Sequence, residues 1–409
     1  MELTAIRLDK GNFAEIAANL PARARTALSA VMSLPRGLLD VRIPDGRRLL
    51  VGDNAPGPQA TLVLNNWKLP SRAFSGGSIG VAESYVDGDW ESPDVTTFLE
   101  LFVANRDDTE RMAGGASGLL GGLQRLRHWL NENTPRGARR NIAAHYDLGN
   151  DFYRAWLDPG MTYSAALFSS GANDLECAQS AKYRVLARDA GIGPGDHVLE
   201  IGCGWGGFAE FAAREIGCRV TGITISKEQH DFAAARIARA GLSDKVEILL
   251  QDYREAQGRY DHIASIEMFE AVGEKYWPRF FRKIKENLKP GGSAALQIIT
   301  INERAFPAYR MRPDFIQRHI FPGGMLPSPA TLKALGAEHG LAFMRERIFP
   351  QDYARTLALW RERFLASWEQ LVSLGFDERF RRLWEFYLHY CEAGFRTEYI
   401  DVRQVIYRA

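Results

Sequence analysis

The sequence predicts an α/β fold: a doubly wound, Rossmann-like sheet with a helical lid insertion, preceded by a small N-terminal domain. Three observations predict it. From His197 onward, strand-like and helix-like stretches alternate (HVLEIG, GFAEFAAREI, CRVTGIT, KEQHDFAAARIARAG, KVEILLQD, HIASIEM, YWPRFFRKIKENL, SAALQIITI), and crossover helices are what join parallel strands. The first of these strands ends in a glycine cluster, VLEIGCGWGGF at 198–208, where an open parallel sheet receives its ligand. After Thr300 the alternation lapses into ERAFPAYRMRPDFIQRHIFPGGMLPSPA, whose aromatic residues, prolines and glycines suit a lid or pocket wall.

Taken in order, residues 1–112 read as the small N-terminal domain, with alternation in LLDVRIPDGRRLLVG and ATLVLNNW and turn signals between them. Residues 113–140 read as a linker and a basic segment. AGGASGLLGG raises the entropy cost of ordering, and Leu119, Leu123, Leu126 and Leu130 then repeat at helical spacing beside Arg125, Arg127, Arg136, Arg139 and Arg140. Such a segment suits an anionic bilayer or an ordinary interdomain helix. Residues 141–409 read as one catalytic domain. Its end holds a helix with Leu357, Trp360, Phe364, Trp368 and Leu371 at core spacing, a second helix through FRRLWEFYLHYCEAG, and a closing strand in FRTEYIDVRQVIYR.

Composition narrows the function. Hydrophobic residues make up 46% and charged residues 25% of the 409, and 51 basic side chains against 50 acidic ones leave a formal charge of +1, so no global field favours nucleic acid. Cys177, Cys203, Cys218 and Cys391 form no C-x-x-C pair, which argues against a disulfide framework and a metal site and fits a reducing cytoplasm. No run approaches the ~18 apolar residues of a membrane span, and the N-terminus lacks a signal-peptide core. Membrane contact is expected to be peripheral.

The glycine turn suits several nucleotide cofactors, and its surroundings discriminate. A dinucleotide site calls for G-x-G-x-x-G and an acid ~20 residues later, whereas the second strand here ends in Thr224. A nicotinamide-dependent oxidoreductase is disfavoured on that ground. No G-K-[ST] follows, and Glu200 beside the turn repels a pyrophosphate. A cationic or zwitterionic ligand fits better.

The E-I-G-C-G-W-G run resembles the first motif of class I methyltransferases, which bind S-adenosylmethionine. HYDLGNDFYRAWLDPGMTYSAALF from His145, GITISKEQ, SIEMFEAVG, FIQRHIFPGGMLPS, DYARTLALW and CEAGFRTEYIDVRQV resemble, in order, the cyclopropane fatty acyl phospholipid synthases over residues 145–409. ESYVDGDWESPDVTTFLELF from Glu83 resembles their small N-terminal domain. The resemblance implies a methyltransferase sheet and transfer of the methyl of S-adenosylmethionine to a cis double bond in an acyl chain of a membrane phospholipid, with proton loss closing a cyclopropane. It implies that Tyr163, Ser164, Gly202, Gly204, Thr224, Ser226, Gln229 and Tyr253 line the cofactor. Ser226 alone reads equally as a helix N-cap, and Tyr253 as a packed aromatic. Tyr163, Tyr309, Phe321 and Tyr353 offer aromatic faces to a carbocation. The implied partner is unsaturated membrane phospholipid met at the inner face of the membrane, and a homodimer is left open.

The pattern breaks where the family holds a bicarbonate ion with a Cys, a Glu, a His and a Tyr. Ala165 stands for the Cys and Gln297 for the His, while Glu270 and Tyr353 remain, which argues against a bound bicarbonate. Glu267 stands where the family shows a small residue. It reads either as a solvated carboxylate or as a replacement base, raised by desolvation and by repulsion from Glu270. The catalytic candidates are therefore Glu270, Tyr353, Glu267 and Gln297. The expected outcomes are a cyclopropane synthase with an altered base, a methyltransferase leaving a methyl-branched unsaturated chain, or an inactive lipid- or cofactor-binding homologue.

Overall fold

A computed structural model describes residues 5–32, 34–52, 55–106 and 148–409. The glycine linker, the basic segment around Arg125–Arg140 and His145 lie outside them. The chain divides into two compact units, Met1–Gln124 with Val372–Tyr399, and Arg125–Leu371 with Ile400–Ala409.

In the first unit a five-stranded sheet is ordered β1-β3-β2-β4-β5. Its strands are β1 (Ile6–Arg7), β2 (Leu38–Arg42), β3 (Arg48–Val51), β4 (Gln59–Leu64) and β5 (Trp90–Glu91). β2 and β3 pair antiparallel across the Pro-Asp-Gly turn, and the alternation read in the sequence buries Leu39, Val41, Leu49 and Val51. The helix Glu378–Arg396 belongs here, whereas the sequence assigned it to the catalytic domain with the rest of 141–409. The reason is its apolar face: Phe386 packs its ring 5.4 Å from that of Tyr85, Arg382 Nε donates to the Tyr85 carbonyl at 2.7 Å, and His389 Nδ1 lies 2.7 Å from Thr96 Oγ1.

The second unit holds a seven-stranded sheet of β6 (His197–Ile201), β7 (Arg219–Thr224), β8 (Val246–Leu250), β9 (Tyr260–Ile266), β10 (Leu288–Ile301), β11 (Ala342–Ile348) and β12 (Ile400–Arg408). Its order is β11-β12-β10-β9-β6-β7-β8. β6 to β10 run parallel, while β12 is antiparallel to both β10 and β11. The chain leaves β6 toward β7 on one side and returns through β9 on the other, which places the switch point beside the glycine turn. Alternating residues feed two cores. Leu199, Ile263 and Leu296 face the helices Trp277–Asn287 and Pro329–Glu338. Val198, Ala264 and Ala295 face the helices Leu175–Ala190 and Gly207–Phe211. The insertion after β10 contains the short helices Phe306–Met311 and Phe315–His319, the second closed by a capping box between Asp314 and Gln317.

Candidate active site

At the end of β6, Gly202, Gly204 and Gly206 take φ values of +80°, +52° and +81°, the left-handed region that favours glycine. A Cβ on Gly202 would lie 2.5 Å from Met268 Cγ, so the close packing there also requires glycine. The amides of Gly202 and Cys203 both donate to the Ile223 carbonyl, at 2.9 and 3.0 Å, which pins the turn to β7.

Around this turn, polar atoms are left open. Glu200 is buried, its Oε2 meets no hydrogen-bond partner, and burial pushes its carboxyl well above the usual carboxylate range. The Tyr253 hydroxyl is also buried without a partner and is pushed up to about 12, chiefly by burial. At the end of β7, Thr224 Oγ1 donates to Gln229 Oε1 at 2.9 Å. Ser226 caps the helix Lys227–Arg239 by accepting from the Gln229 amide at 3.3 Å. Tyr163 packs against the rings of Tyr153, Trp156 and Trp360, and Ser164 Oγ accepts from Lys182 Nζ at 2.6 Å. Positive-φ glycines, the open Glu200 oxygen and the open Tyr253 hydroxyl suit a ligand carrying donors and hydroxyl groups, and a positive charge on it would draw the raised Glu200 carboxyl back toward its ionised form. S-adenosylmethionine fits that set, with Thr224 and Gln229 placed for its polar groups.

A second cluster surrounds Glu267. Its Oε1 accepts from the Ala165 amide at 2.8 Å and from Gln297 Nε2 at 2.7 Å, and its Oε2 accepts from the Tyr353 hydroxyl at 2.6 Å. Ala165, which stands where the family has a Cys, supplies its main-chain N–H. Each partner is fixed by the fold. Gln297 lies on β10, beside β9, and the Glu267 amide extends that ladder to the Gln297 carbonyl at 2.8 Å. The helix Pro350–Ala366 carries Tyr353 and is docked by Asp352, whose Oδ1 accepts from the amides of Phe168 and Ser169, and by Thr356, which accepts from the Ala166 amide.

Glu267 has a φ of +49°. A side chain in this conformation costs roughly 1–2 kcal/mol relative to glycine, so the residue is held by its hydrogen bonds against a backbone preference.

The two carboxyls of the site differ. Burial raises Glu267, but Tyr353, Lys182, Gln297 and the Ala165 amide each draw it back down. Glu270 is raised to about 8, first by burial and then by the Glu267 charge. It accepts from the Ile299 amide at 2.5 Å, while its Oε2 has no partner. Glu270 is thus the acid of the pair at neutral pH, while Glu267, though raised overall, is the one whose charged form its neighbours favour. Repulsion falls on Glu270 rather than on Glu267.

Sequence reasoning missed two residues. Lys182 has no exposed surface and is lowered to about 7 by burial, against the opposing charges of Glu267, Asp158 and Glu200. Its signal was a lysine in line with the buried positions Ala178, Leu186 and Ala190 of one helix face. Gln404, whose Nε2 donates to Gln297 Oε1 at 3.0 Å, gave no signal. Tyr309 and Phe321 lie in the insertion, with the Tyr309 hydroxyl accepting from the Leu326 amide at 3.3 Å. Among the described residues, no group of three His, Cys, Asp or Glu side chains is placed to hold a metal.

Sheet order and glycine-turn geometry place a ligand site at the switch point of the sheet, and the proteins that this chain resembles make it an S-adenosylmethionine-dependent methyltransferase. Residues 133–405 match the mycolic acid cyclopropane synthetase family, and the chain belongs to it. The chain is 41% identical over 347 residues to the tuberculostearic acid methyltransferase of Mycobacterium tuberculosis, covering 80% of this chain and 78% of that one. It is 35% identical over 370 residues to the cyclopropane-fatty-acyl-phospholipid synthase of Escherichia coli, covering 88% and 90%. Among solved structures, a cyclopropane synthase from Mycobacterium tuberculosis superposes with a TM-score of 0.63 at 31% identity, over 66% of this chain and 98% of that one. A mycolic acid cyclopropane synthase in complex with SAH and CTAB superposes at 0.62 and 32%, with the same coverage.

Proposed function

We propose that the protein transfers the methyl group of S-adenosylmethionine to the double bond of an unsaturated acyl chain of membrane phospholipid, and that Glu267 takes the proton that ends the reaction. The observation that carries this reading is the Glu267 carboxylate held by the Ala165 amide, the Gln297 amide and the Tyr353 hydroxyl. Ala165, Gln297 and Tyr353 stand at positions where the resembled enzymes hold bicarbonate, so a carboxylate of the chain itself replaces the free ion.

The bound cofactor supplies an electrophilic methyl on a positively charged sulfur. The turn at Gly202 and Gly204, the side chains of Glu200, Thr224, Gln229 and Tyr253, and Tyr163 with Ser164 hold it. Once the double bond has taken the methyl, a carbocation remains on the acyl chain and one C–H bond must break. Its proton passes to Glu267, while Tyr353 and Gln297 keep the carboxylate aimed. Loss from the added methyl closes a cyclopropane, whereas loss from a neighbouring chain carbon leaves a methyl-branched alkene.

The branched product is a second reading, favoured by one observation. The altered set of Ala165, Gln297 and Glu267 fixes the base to the backbone instead of leaving it as a free ion. The higher identity to a tuberculostearic acid methyltransferase, 41% against 35%, points the same way.

No described helix is long and apolar enough to cross a membrane. Contact with the bilayer is assigned to the N-terminal unit and the basic segment, so neutralising Arg136, Arg139 and Arg140 weakens binding to anionic vesicles.

The test is incubation with S-adenosylmethionine and unsaturated phospholipid vesicles, followed by lipid mass spectrometry before and after mild hydrogenation. A methylated lipid that takes up hydrogen is the branched alkene, and one that resists is the cyclopropane. Cofactor binding with no methyl in the lipid overturns the reading in favour of an inactive homologue.

A further inference from the structure

We infer that Gln404 is a positioning residue, one that decides which end of the Gln297 amide faces Glu267. The inference rests on the Glu267 reading above for its catalytic meaning, but its geometry stands independently. Gln404 on β12 is the direct cross-strand partner of Gln297 on β10. Its Nε2 donates both to the Lys182 main-chain carbonyl at 3.3 Å and to Gln297 Oε1 at 3.0 Å. Gln297 in turn presents Nε2 to Glu267 Oε1 at 2.7 Å.

A glutamine amide has a donor end and an acceptor end, and nothing in its shape chooses between them. At the near end the Ala165 carbonyl, 3.4 Å from Gln297 Nε2, weakly favours the donor end, and the choice is completed at the far end of the relay. The Lys182 carbonyl can only accept, so it requires the NH2 of Gln404. That NH2 then requires the oxygen of Gln297, and the NH2 of Gln297 is left for the carboxylate. Gln404 Oε1 is buried with no partner among the described residues. This orphaned acceptor costs less than the reverse arrangement, which would set Gln404 Oε1 against the Lys182 carbonyl and turn the oxygen of Gln297 on an anion.

The groups facing Glu267 are Lys182 from the helix Leu175–Ala190, Tyr353 from the helix Pro350–Ala366, Gln297 from β10, the Ala165 amide, and Glu270 just past β9. Of these, only Gln297 has an end-for-end ambiguity, and beyond the long contact to the Ala165 carbonyl it is Gln404 that removes it. If the amide turns, Glu267 loses a donor and its pKa rises, so the base is ionised only at higher pH.

The test measures the Glu267 titration directly, through NMR of isotope-labelled glutamate carboxyls assigned with Glu267→Gln, alongside the acidic limb of kcat/KM. Gln404→Met moves both upward by about one pH unit, and Gln404→Glu moves them further, because a carboxylate there accepts from Gln297 and pulls its NH2 away from Glu267. Both variants bind SAH as the parent does, which shows that they are folded. Gln297→Met moves the titration by itself, and adding Gln404→Met to it moves nothing more. An unmoved titration in SAH-binding Gln404→Met and Gln404→Glu, or additive shifts in the double variant, overturns the inference. Full activity in Glu267→Gln would instead sink the base reading, while the NMR titration would still decide the role of Gln404.

Discussion

The glycine turn and the Glu267 cluster lie in the same unit and are built in opposite ways. At the turn, Glu200 Oε2 and the Tyr253 hydroxyl are buried with no partner among the described residues. At Glu267, both carboxylate oxygens are already hydrogen-bonded, one to two N–H donors and the other to a hydroxyl. Buried polar groups are normally satisfied, so at the switch point of the sheet the open atoms beside the glycine turn mark where a ligand supplies the missing partner. A closed cluster marks where the protein has supplied its own. The turn is designed for a molecule that arrives and leaves, and the cluster for a charge that stays.

The sharpest way to break this contrast is to empty the closed cluster. Glu267→Gln lowers turnover by roughly 10²–10⁴-fold while SAH binding stays within a few-fold, as read by labelled methyl incorporation into lipid and by calorimetry. Glu267→Gly shows the same loss and regains activity with added bicarbonate, because glycine relieves the φ of +49° and leaves three donors facing a vacated anion site. No rescue by bicarbonate would detach Glu267 from that role.

The turn is tested by Gly202→Ala, which meets both the positive φ and Met268 at 2.5 Å. A strain of about 1–3 kcal/mol weakens SAH affinity by roughly 10–100-fold. Glu267 titrates in this variant as before, provided the two regions are as separate as their hydrogen bonding indicates.

A smaller effect comes from Lys182→Met. Removing the buried cation near Glu267 withdraws an interaction that draws its pKa down, so the acidic limb of kcat/KM moves up by about one pH unit. A downward move would show that Lys182 acts some other way.

The mildest prediction concerns stability. Glu270 titrates at about 8 in the folded chain against an ordinary 4.5. The folded state therefore holds its proton more tightly than the unfolded state. The resulting stabilisation is full below about pH 4.5 and is lost as pH rises through 8. Thermal melts of Glu270→Gln fall less between pH 5 and pH 8 than those of the parent, and equal falls would place the proton elsewhere.

The legible parts of the molecule were the local ones. VLEIGCGWGG announced a strand and a turn because apolar runs and glycines act through their own backbone, and the order of strands and helices from His197 to Ile301 followed from periodicity. Glu267 was legible as an unusual residue in SIEMFEAVG, though its surroundings were not. Lys182 was hidden because a lysine in a helix normally faces water. The grouping of Val372–Tyr399 with the N-terminal unit was hidden because an aromatic helix face does not say which core it covers.

By itself the sequence determined the alternating strands and helices from His197 to Ile301, where the glycines allow a ligand to approach the backbone, and which acidic residue departs from the family pattern. Only the tertiary structure decided that the Ala165 amide, Gln297 and Tyr353 converge on that residue and that Gln404 stands across from Gln297. The physical reason is that these contacts join β9, β10, β12, one helix and one loop far apart in the chain. A hydrogen bond depends on distances and angles that only the completed packing sets.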